Sequence, residues 1–469
     1  MTHDSTRRIA EALRERIVVA APGSKLPSSR ALVREYGASP VTVQRAVTAL
    51  ARDGLVETRP GVGTFVRGVR PTRSADQSWQ TAALGRVRVR PPALPSLEPL
   101  DAEGISLHSG YPAADLLPER LVRSAFTRAS RGTEIVGPVA PAGSAPLRDW
   151  FAAELAAQVA PGVAPVTRAD VLITPGSQSA LTAIFRSLTP TGGTVVTESP
   201  TYWGALSAAA QVDVRVHPVS TGAGGPDPAE VDRALRESGS RVFYAQPTFS
   251  NPMGTTWTPG VREAVLEVVR ERGAFLVEDD WAHDFAIDPA PAPIAAIDDA
   301  GHVIHVRSLT KSVASSVRVA GIVARGPVRD RILGDIAAES MYVSPVLQAV
   351  ALDVVTRPAW ATHLRRVRTD LADRRDLLLD AVRTHLPEAV VDSVPAGGLH
   401  LWVRLPDGTD LDALRGACRL DGVQISAGDA AFPAEPTGRF LRLTYSAAAP
   451  TRFPEAVRTI ARHLRAQTG

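Results

Sequence analysis

From about residue 105 onward, short apolar runs typical of β-strands alternate with amphipathic stretches typical of helices. The segment "RADVLITPGSQSALTAIFRSL" (168–188) shows the pattern, with an apolar run, a Gly-Ser turn and a helical stretch. It recurs in "GGTVVTESPTYWGALSAAA", "VDVRVHPV", "RVFYAQPTFSNPMG", "GAFLVEDDWAHDF" and "HVIHVRSLTKSV". Such alternation predicts an α/β fold with a mostly parallel sheet flanked by helices. In a sheet of this kind, ligand-binding groups collect in the loops at the carboxyl ends of the strands.

Lysine is rare in this chain, and one of its two lysines follows a predicted strand. Of the 52 lysines and arginines only Lys25 and Lys311 are lysines, so arginine supplies almost all of the positive charge. A guanidinium stays charged and cannot form an imine, whereas an amine can lose its proton and attack a carbonyl. Lys311, in "SLTKSV", is therefore a candidate Schiff-base former, and the alternative is a solvated surface lysine.

Three groups of polar residues fall at predicted strand ends. They are Ser177 and Gln178 after Gly176, then Asp279 and Asp280, then Ser308, Thr310, Lys311 and Arg318. The first lies between a strand and a helix, where free backbone N–H groups favour a phosphate. Taken singly, the groups have ordinary explanations: a helix cap, a solvated acid and a surface lysine. Together they match what pyridoxal 5'-phosphate requires, which is an amine, a carboxylate for the ring nitrogen and a phosphate cup.

The first seventy residues are organised differently. Helical spacing of apolar residues in "STRRIAEALRERIVVA" (5–20) predicts a first helix, and "RALVREYG" predicts a second one capped by Ser28 or Ser29. A third helix is expected to have Ser39 as its N-cap and Pro40 at its first position. The following "LVETRPGVGTFVRG" predicts two short strands around a turn that contains glycine.

These seventy residues also carry an excess of positive charge. They hold twelve Lys and Arg against six Asp and Glu, although the net charge of the whole chain is only +3. A helix–turn–helix followed by a hairpin wing, with a basic excess, is typical of a domain that places a recognition helix in the major groove of DNA. A small helical bundle without a ligand is the alternative.

The stretch "PGSKLPSSRALVREYGASPVTVQRAVTALARDGLVETRPGVGTFV" (22–66) closely resembles the winged-helix DNA-binding domain of GntR-type bacterial repressors. The resemblance implies that Gly61 and Gly63 shape the wing, and that DNA is contacted by Arg30, Thr42, Gln44 and Arg45. Pro40 stands where such domains often carry a basic or polar residue. The resemblance therefore predicts the DNA-binding surface and not the bases that it reads.

The rest of the chain, roughly residues 105–469, resembles the fold-type I aminotransferases. The resemblance rests on "TPGSQSAL", "ESPTYWGAL", "PTFSNPMG", "VEDDW", "SLTKSVASSVRVAG", "GGLHLWVRLP" and "LRLTYS", which occur in the order found in that family. It implies that Lys311 forms the internal aldimine with pyridoxal 5'-phosphate. It implies these further contacts: Ser177, Gln178, Ser308 and Arg318 to the phosphate, Asn251 to the phenolic oxygen, Asp279 rather than Asp280 to the ring nitrogen, Tyr202 stacked on the ring, and Arg442 to an effector or substrate α-carboxylate.

Two residues depart from the aminotransferase pattern. Trp281 stands where the family usually has a tyrosine after the acidic pair, and its indole N–H can donate a hydrogen bond but cannot act as a phenol. Val136 stands where a tyrosine commonly approaches the partner subunit's cofactor. We expect the cofactor to bind despite both changes and transamination to be impaired.

A GntR-like winged helix joined to an aminotransferase-like domain resembles the MocR group of regulators. The resemblance implies a transcriptional regulator that depends on pyridoxal 5'-phosphate and senses the cofactor, or an amine or amino acid, through aldimine formation at Lys311. One alternative is an active aminotransferase with an attached DNA-binding domain. Another is a DNA-binding protein whose large domain is a dimerisation scaffold without cofactor.

The predicted organisation has three parts. Residues 1–68 form the winged helix-turn-helix, and residues 69–104, rich in Pro and Arg, form a linker. Residues 105–469 form the cofactor-binding, effector-binding and dimerisation domain, with a smaller C-terminal α+β subdomain. We expect a homodimer that reads two half-sites of double-stranded DNA.

The sequence also predicts a cytoplasmic protein without a metal site. No apolar run approaches the ~20 residues that span a bilayer, and the N-terminal segment is charged throughout. The single cysteine, Cys418, excludes an internal disulfide and a thiolate zinc cluster.

Overall fold

The computed structural model of the protein describes residues 2–67, 104–133, 136–137 and 139–468. These residues fall into two compact units, one within residues 1–87 and one within residues 88–469. The linker predicted at 69–104 lies almost entirely outside the described residues, so the predicted domain bounds stay predictions.

The described part of the smaller unit consists of three helices and a hairpin. The elements are α1 (Thr2–Val18), α2 (Ser29–Tyr36), α3 (Pro40–Arg52), β1 (Val56–Arg59) and β2 (Gly63–Val66). This is the predicted order of helix, helix–turn–helix and wing. The Ser39 hydroxyl accepts a hydrogen bond from the Thr42 backbone N–H at 3.2 Å, and the Ser28 hydroxyl accepts one from Ala31 at 3.3 Å. Both helix starts therefore carry the side-chain caps that the sequence predicts.

An apolar core holds these helices together. Leu13 of α1 and Val43 and Leu50 of α3 are completely buried, and Val56 and Val66 of the paired strands close the cluster from the side of the hairpin. Burial on one stripe of each helix leaves the opposite stripe of α3 exposed.

The larger unit is built on strands whose apolar character was evident in the sequence. Those that the structure describes are β3 (Ile105–Ser106), β4 (Val171–Thr174), β5 (Thr194–Ser199), β6 (Arg215–Gly222), β7 (Gly225–Pro226), β8 (Val242–Ala245), β9 (Phe275–Asp280), β10 (Val303–Ser308), β11 (Ala320–Val323), β12 (His400–Leu405), β13 (Val423–Gln424), β14 (Ser426–Ala427) and β15 (Arg439–Thr444).

Eight of these strands form one sheet in the order β4–β11–β10–β9–β8–β5–β6–β7. The pairs from β10 through β9, β8 and β5 to β6 are parallel, and β11 and β7 pair antiparallel with their neighbours. The predicted mostly parallel sheet is confirmed. A separate antiparallel sheet, β12–β15–β14, lies in the C-terminal part of the chain, as the predicted α+β subdomain requires.

Helices, singly or in succession, connect most of these strands along the chain. They are α4 (Glu119–Ala129), α5 (Ala145–Ala156), α6 (Ser177–Leu188), α7 (Trp203–Gln211), α8 (Pro228–Ser238), α9 (Pro259–Glu271), α10 (Pro327–Ser340), α11 (Pro345–Val355), α12 (Pro358–His385), α13 (Leu411–Leu420) and α14 (Phe453–Thr468). Along β4, Val171 and Ile173 belong to one buried cluster and Leu172 to another, so both faces of this strand are covered. Within the described ranges, no helix is both long enough and apolar enough to cross a membrane.

The N-cap of α3 gives a test of the smaller unit. Replacing Ser39 with alanine removes the acceptor for the Thr42 N–H, so we expect the unfolding free energy of this unit to fall by about 1 kcal/mol. Calorimetric unfolding of the full chain measures the effect, with the transition of the larger unit as internal control. An unchanged transition of the smaller unit would show that the cap contributes nothing.

Candidate functional site

One cavity gathers the residues that follow the parallel strands. The predicted cofactor-contacting residues that line it are Ser177, Gln178, Tyr202, Asn251, Asp279, Ser308, Lys311 and Arg318, which is the complete predicted set. Four further lining residues were not assigned a role from the sequence: Tyr111, Gln246, Trp281 and Thr310.

Lys311 follows β10 and lies under an aromatic wall. Its Nζ is 4.2 Å from the ring centroid of Trp281 and 5.9 Å from that of Tyr111. Removal from water lowers the pKa of the Lys311 amine to about 7; the positive charge of Arg442 acts in the same direction, and the Asp279 carboxylate opposes it. A lysine in these surroundings is a nucleophile near neutral pH and not a solvated surface cation.

Asp279 is the acid of β9 that faces the cavity. Its Oδ2 accepts hydrogen bonds from the Tyr244 hydroxyl and from Gln246 Nε2, each at 2.8 Å. Its Oδ1 is buried and has no hydrogen-bond partner among the described residues. Burial raises the pKa of Asp279, and these two hydrogen bonds and the Lys311 charge oppose that rise. One carboxylate oxygen is therefore held ready for a donor that the protein itself does not supply.

Asp280 has different neighbours. Its Oδ2 contacts His283 Nδ1 at 2.7 Å and His305 Nε2 at 3.2 Å, and it is absent from the cavity lining. Burial alone would raise the pKa of Asp280, but the two histidines hold it below its usual range. The two adjacent acids thus differ in surroundings, and Asp279 is the one that borders the cavity.

A cup of donors lies where α6 begins. Gly176 has a φ of 92°, and a Cβ at this position would come within 2.7 Å of Arg318 Nη2 and 3.3 Å of Thr310 Oγ1. Thr310 Oγ1 is buried without a partner among the described residues. The first N–H groups of α6 point out of the helix without intrahelical acceptors. Together these donors and the Arg318 charge can hold an anion such as a phosphate.

The side chain of Gln178 has other partners than the resemblance implies. Its Nε2 donates to the Gly204 carbonyl at 2.7 Å, and its Oε1 accepts from the Tyr202 hydroxyl at 3.2 Å. The side chain positions Tyr202 over the cavity, so the part of Gln178 suited to a phosphate is its backbone N–H at the start of α6.

Asn251 and Arg442 lie side by side. Arg442 Nη1 donates to Asn251 Oδ1 at 3.4 Å and Nη2 donates to the His108 carbonyl at 2.9 Å, while its Nε has no partner in the described structure. Because the Asn251 oxygen accepts from Arg442, the Asn251 amide nitrogen can donate elsewhere. Burial lowers the pKa of Arg442 to about 10.

The two departures from the aminotransferase pattern differ in their surroundings. The Trp281 indole N–H donates to the Phe249 carbonyl at 3.0 Å, so this donor is already engaged and Trp281 presents its ring face to Lys311. The side chain of Val136 is 87% exposed.

The predicted DNA contacts lie on the smaller unit. Arg30, Gln44 and Arg45 are exposed, whereas Thr42 is half-buried, with its hydroxyl 2.8 Å from the Ser39 hydroxyl in the cap of α3. The exposed stripe of α3 lines a shallow concave surface together with the start of α2: Ser29, Pro40, Val41, Gln44, Arg45, Thr48, Ala49 and Arg52. Gly61, in the turn between β1 and β2, and Gly63, the first residue of β2, have φ values of 74° and 141°, a backbone region that favours glycine.

The electrostatics of Lys311 give a measurable pH profile. We expect the rate at which a small acylating reagent modifies the Lys311 amine to reach half its maximum near pH 7. Peptide mass spectrometry measures this rate at each pH. Arg442→Gln removes a positive charge and should move this midpoint to higher pH, whereas Asp279→Asn removes a negative charge and should move it to lower pH. Shifts in the reverse directions would contradict this account of the site.

Comparison with known proteins identifies both units. The family described as "Aminotransferase class I and II" matches residues 120–460, and "Bacterial regulatory proteins, gntR family" matches residues 5–66. An uncharacterized HTH-type transcriptional regulator of Bacillus subtilis, YdfD, is 29% identical over 434 residues, covering 90% of this chain and 88% of that protein. The 2-aminoadipate transaminase of Thermus thermophilus is 28% identical over 367 residues, covering 77% of this chain and 90% of that protein.

A solved structure agrees with these matches. The α-aminoadipate aminotransferase LysN of Thermus thermophilus, complexed with N-(5'-phosphopyridoxyl)-L-leucine, superimposes with a TM-score of 0.70 at 26% identity, covering 78% of this chain and 93% of that one. The predicted fold and the predicted MocR-type combination of domains are confirmed, and the predicted cofactor agrees with the family. Since the aminotransferase family matches well over half of the chain, this protein belongs to the class I and II aminotransferases, and it carries a gntR-family DNA-binding domain at residues 5–66.

Proposed function

We propose that this protein is a transcriptional regulator that binds pyridoxal 5'-phosphate at Lys311 and responds to the cofactor or to an amine or amino acid. The observation that carries the proposal is the cavity in which a lysine amine, an unpartnered carboxylate oxygen and a cup of donors meet. The same chain carries a DNA-binding domain.

The cavity fits the cofactor group by group. Asp279 Oδ1, which lacks a donor, suits a protonated ring nitrogen, and the space beside Gly176 suits a phosphate. We assign the phosphate to Ser177, the Gln178 backbone, Ser308, Thr310 and Arg318; the phenolic oxygen to the Asn251 amide; and the ring face to Tyr202. When bound, pyridoxal 5'-phosphate supplies an aldehyde carbon open to amines and a ring that withdraws electrons from it.

The protein's own residues prepare this site for an amine. Because its pKa is lowered to about 7, the Lys311 amine is available in its unprotonated form at neutral pH and able to attack a carbonyl carbon. Arg442, buried beside Asn251, offers its unpartnered Nε and an adjacent N–H as a fork for a carboxylate. An amino acid would therefore be held by its carboxylate with its amine directed toward Lys311.

An active aminotransferase is the second candidate. It is favoured by the 28% identity to the Thermus 2-aminoadipate transaminase and by the proximity of Arg442, whose charge acts on Lys311. Against it stands Trp281, which supplies no hydroxyl at a position where the resemblance expects a tyrosine. Amino-group transfer to a 2-oxo acid at enzyme-like turnover would favour this candidate over the regulator.

We further propose a homodimer that presents two winged helices to two half-sites. Two-fold dimers bind symmetric or repeated sites spaced by whole helical turns. The effector would then act by favouring one of two arrangements of the winged helices. The size of this shift is limited by the difference between the effector's affinities for the two arrangements.

Substitutions at Lys311 and Arg45 should separate cofactor binding from DNA binding. Lys311→Ala should abolish the visible absorption of lysine-bound pyridoxal 5'-phosphate and the effector response, with the fold and basal DNA binding retained, because Lys25 lies in the other unit. Arg45→Ala should lower DNA affinity and leave the absorption unchanged. Spectra and mobility-shift titrations on both variants check the pair, and absorption that persists in Lys311→Ala would overturn the assignment.

The dimer proposal predicts that DNA affinity depends on both half-sites. Genome-wide recovery of bound fragments identifies the operator, and titrations then compare the full operator with a single half-site. The full site should bind more tightly, since the second contact is made within one complex. Equal affinity for both, with a monomer on the DNA, would refute the arrangement.

A further inference from the structure

Gln246 connects two residues of the cavity with a buried acid behind them. It follows β8 directly and is 2% exposed. Its side-chain Nε2 donates to Asp279 Oδ2 at 2.8 Å, and its Oε1 accepts from the Asn251 backbone N–H at 2.8 Å. Its own backbone N–H donates to Glu198 Oε2 at 3.0 Å. The sequence offered no signal for this residue, because its contacts with Asp279 and Glu198 reach other strands and its contact with Asn251 depends on the fold of the loop between them.

The orientation of the Gln246 amide follows from its partners. The Asn251 backbone N–H can only donate, so the side-chain atom that faces it must be the carbonyl oxygen. The NH₂ group of Gln246 must then face Asp279, where it donates to a carboxylate oxygen. This assignment needs no other information about the amide, and it makes Gln246 a fixed donor to Asp279.

Gln246 is also held from the side away from the cavity. Glu198 accepts from the Gln246 backbone, from Trp257 Nε1 at 2.9 Å and from the Thr221 hydroxyl at 3.0 Å. Burial raises the pKa of Glu198 to about 7, and the hydrogen bonds from these three donors oppose that rise. This buried acid fixes the backbone from which the Gln246 side chain reaches Asp279.

The two oxygens of Asp279 are unequal as a result. Gln246 and Tyr244 both donate to Oδ2, which fixes the rotation of the carboxyl group and offsets part of the cost of burying its charge. Oδ1 receives no donor in the described structure. Two hydrogen bonds on one oxygen thus leave the other as the acceptor for whatever enters the cavity.

We propose that Gln246, together with Tyr244, is a positioning residue that keeps Asp279 ionised and turned so that Oδ1 meets the protonated ring nitrogen of pyridoxal 5'-phosphate. This inference rests on the proposed function. Because Gln246 also holds the Asn251 backbone, it fixes the distance between the groups assigned to the ring nitrogen and to the phenolic oxygen.

The test removes the Gln246 side chain from the protein and the ring nitrogen from the ligand, each alone and both together. Full-length protein with Gln246→Leu and the unchanged chain are titrated with pyridoxal 5'-phosphate and with its analogue in which C–H replaces the ring nitrogen. If Gln246 acts through Asp279 on the nitrogen, the variant should bind the cofactor at least about tenfold more weakly, the usual effect of losing a charge-assisted hydrogen bond. The analogue should lose less affinity than the cofactor, because the variant then acts only through its lost contact with the Asn251 backbone.

Two further variants make the result decisive. Ser177→Ala, at the phosphate cup, should weaken cofactor and analogue by the same factor, which is the pattern of a residue that does not act through the nitrogen. Tyr244→Phe removes the other donor to Oδ2 and should repeat the pattern of Gln246→Leu, so the test remains open if the leucine variant fails to fold.

Equal losses for cofactor and analogue in both Gln246→Leu and Tyr244→Phe, or no loss for either ligand, would overturn the inference. Failure of the unchanged protein to bind pyridoxal 5'-phosphate at all would instead overturn the proposed function. The two failures are therefore distinguishable.

Discussion

Parallel pairing of β8, β9 and β10 is the constraint on which the cavity depends. Because these strands run in one direction, Gln246 after β8, Asp279 near the end of β9 and Lys311 after β10 emerge at the same edge of the sheet. A carboxylate and an amine that are far apart in sequence thereby share a poorly hydrated space. Burial first, then the positive charge of the nearby Arg442 and the opposing charge of Asp279, set the pKa of Lys311.

Much of the fold could be predicted from the sequence, because it depends on local patterns, whereas the roles of Asn251, Tyr202 and Arg442 were expected only from the resemblance to aminotransferases. Apolar runs followed by Gly, Ser or Asp mark strands that end in ligand-binding loops, and Ser39 before Pro40 marks a helix start. The rarity of lysine singled out Lys311. These signals lie within a few residues of one another, so they can be read before the chain is folded.

What the sequence could not predict are contacts made across the fold. Gln246 and Tyr244 reach Asp279 from a neighbouring strand, and no local pattern marks them. The Gln178 side chain binds Gly204 and Tyr202 instead of remaining free for a phosphate. The Trp281 N–H is engaged by Phe249. In each case a donor's partner depends on which loops the sheet brings together, which is a property of tertiary structure.

The scarcity of lysine has a practical consequence for following this protein in solution. Lys25 is exposed in the smaller unit, and Lys311 lies beneath Trp281 in the larger one. An amine-directed fluorophore too bulky for the cavity would therefore label the lysine side chain of the DNA-binding unit selectively. Once the N-terminal α-amine is blocked, the chain thus offers a single-site reporter for fluorescence studies without engineered cysteines.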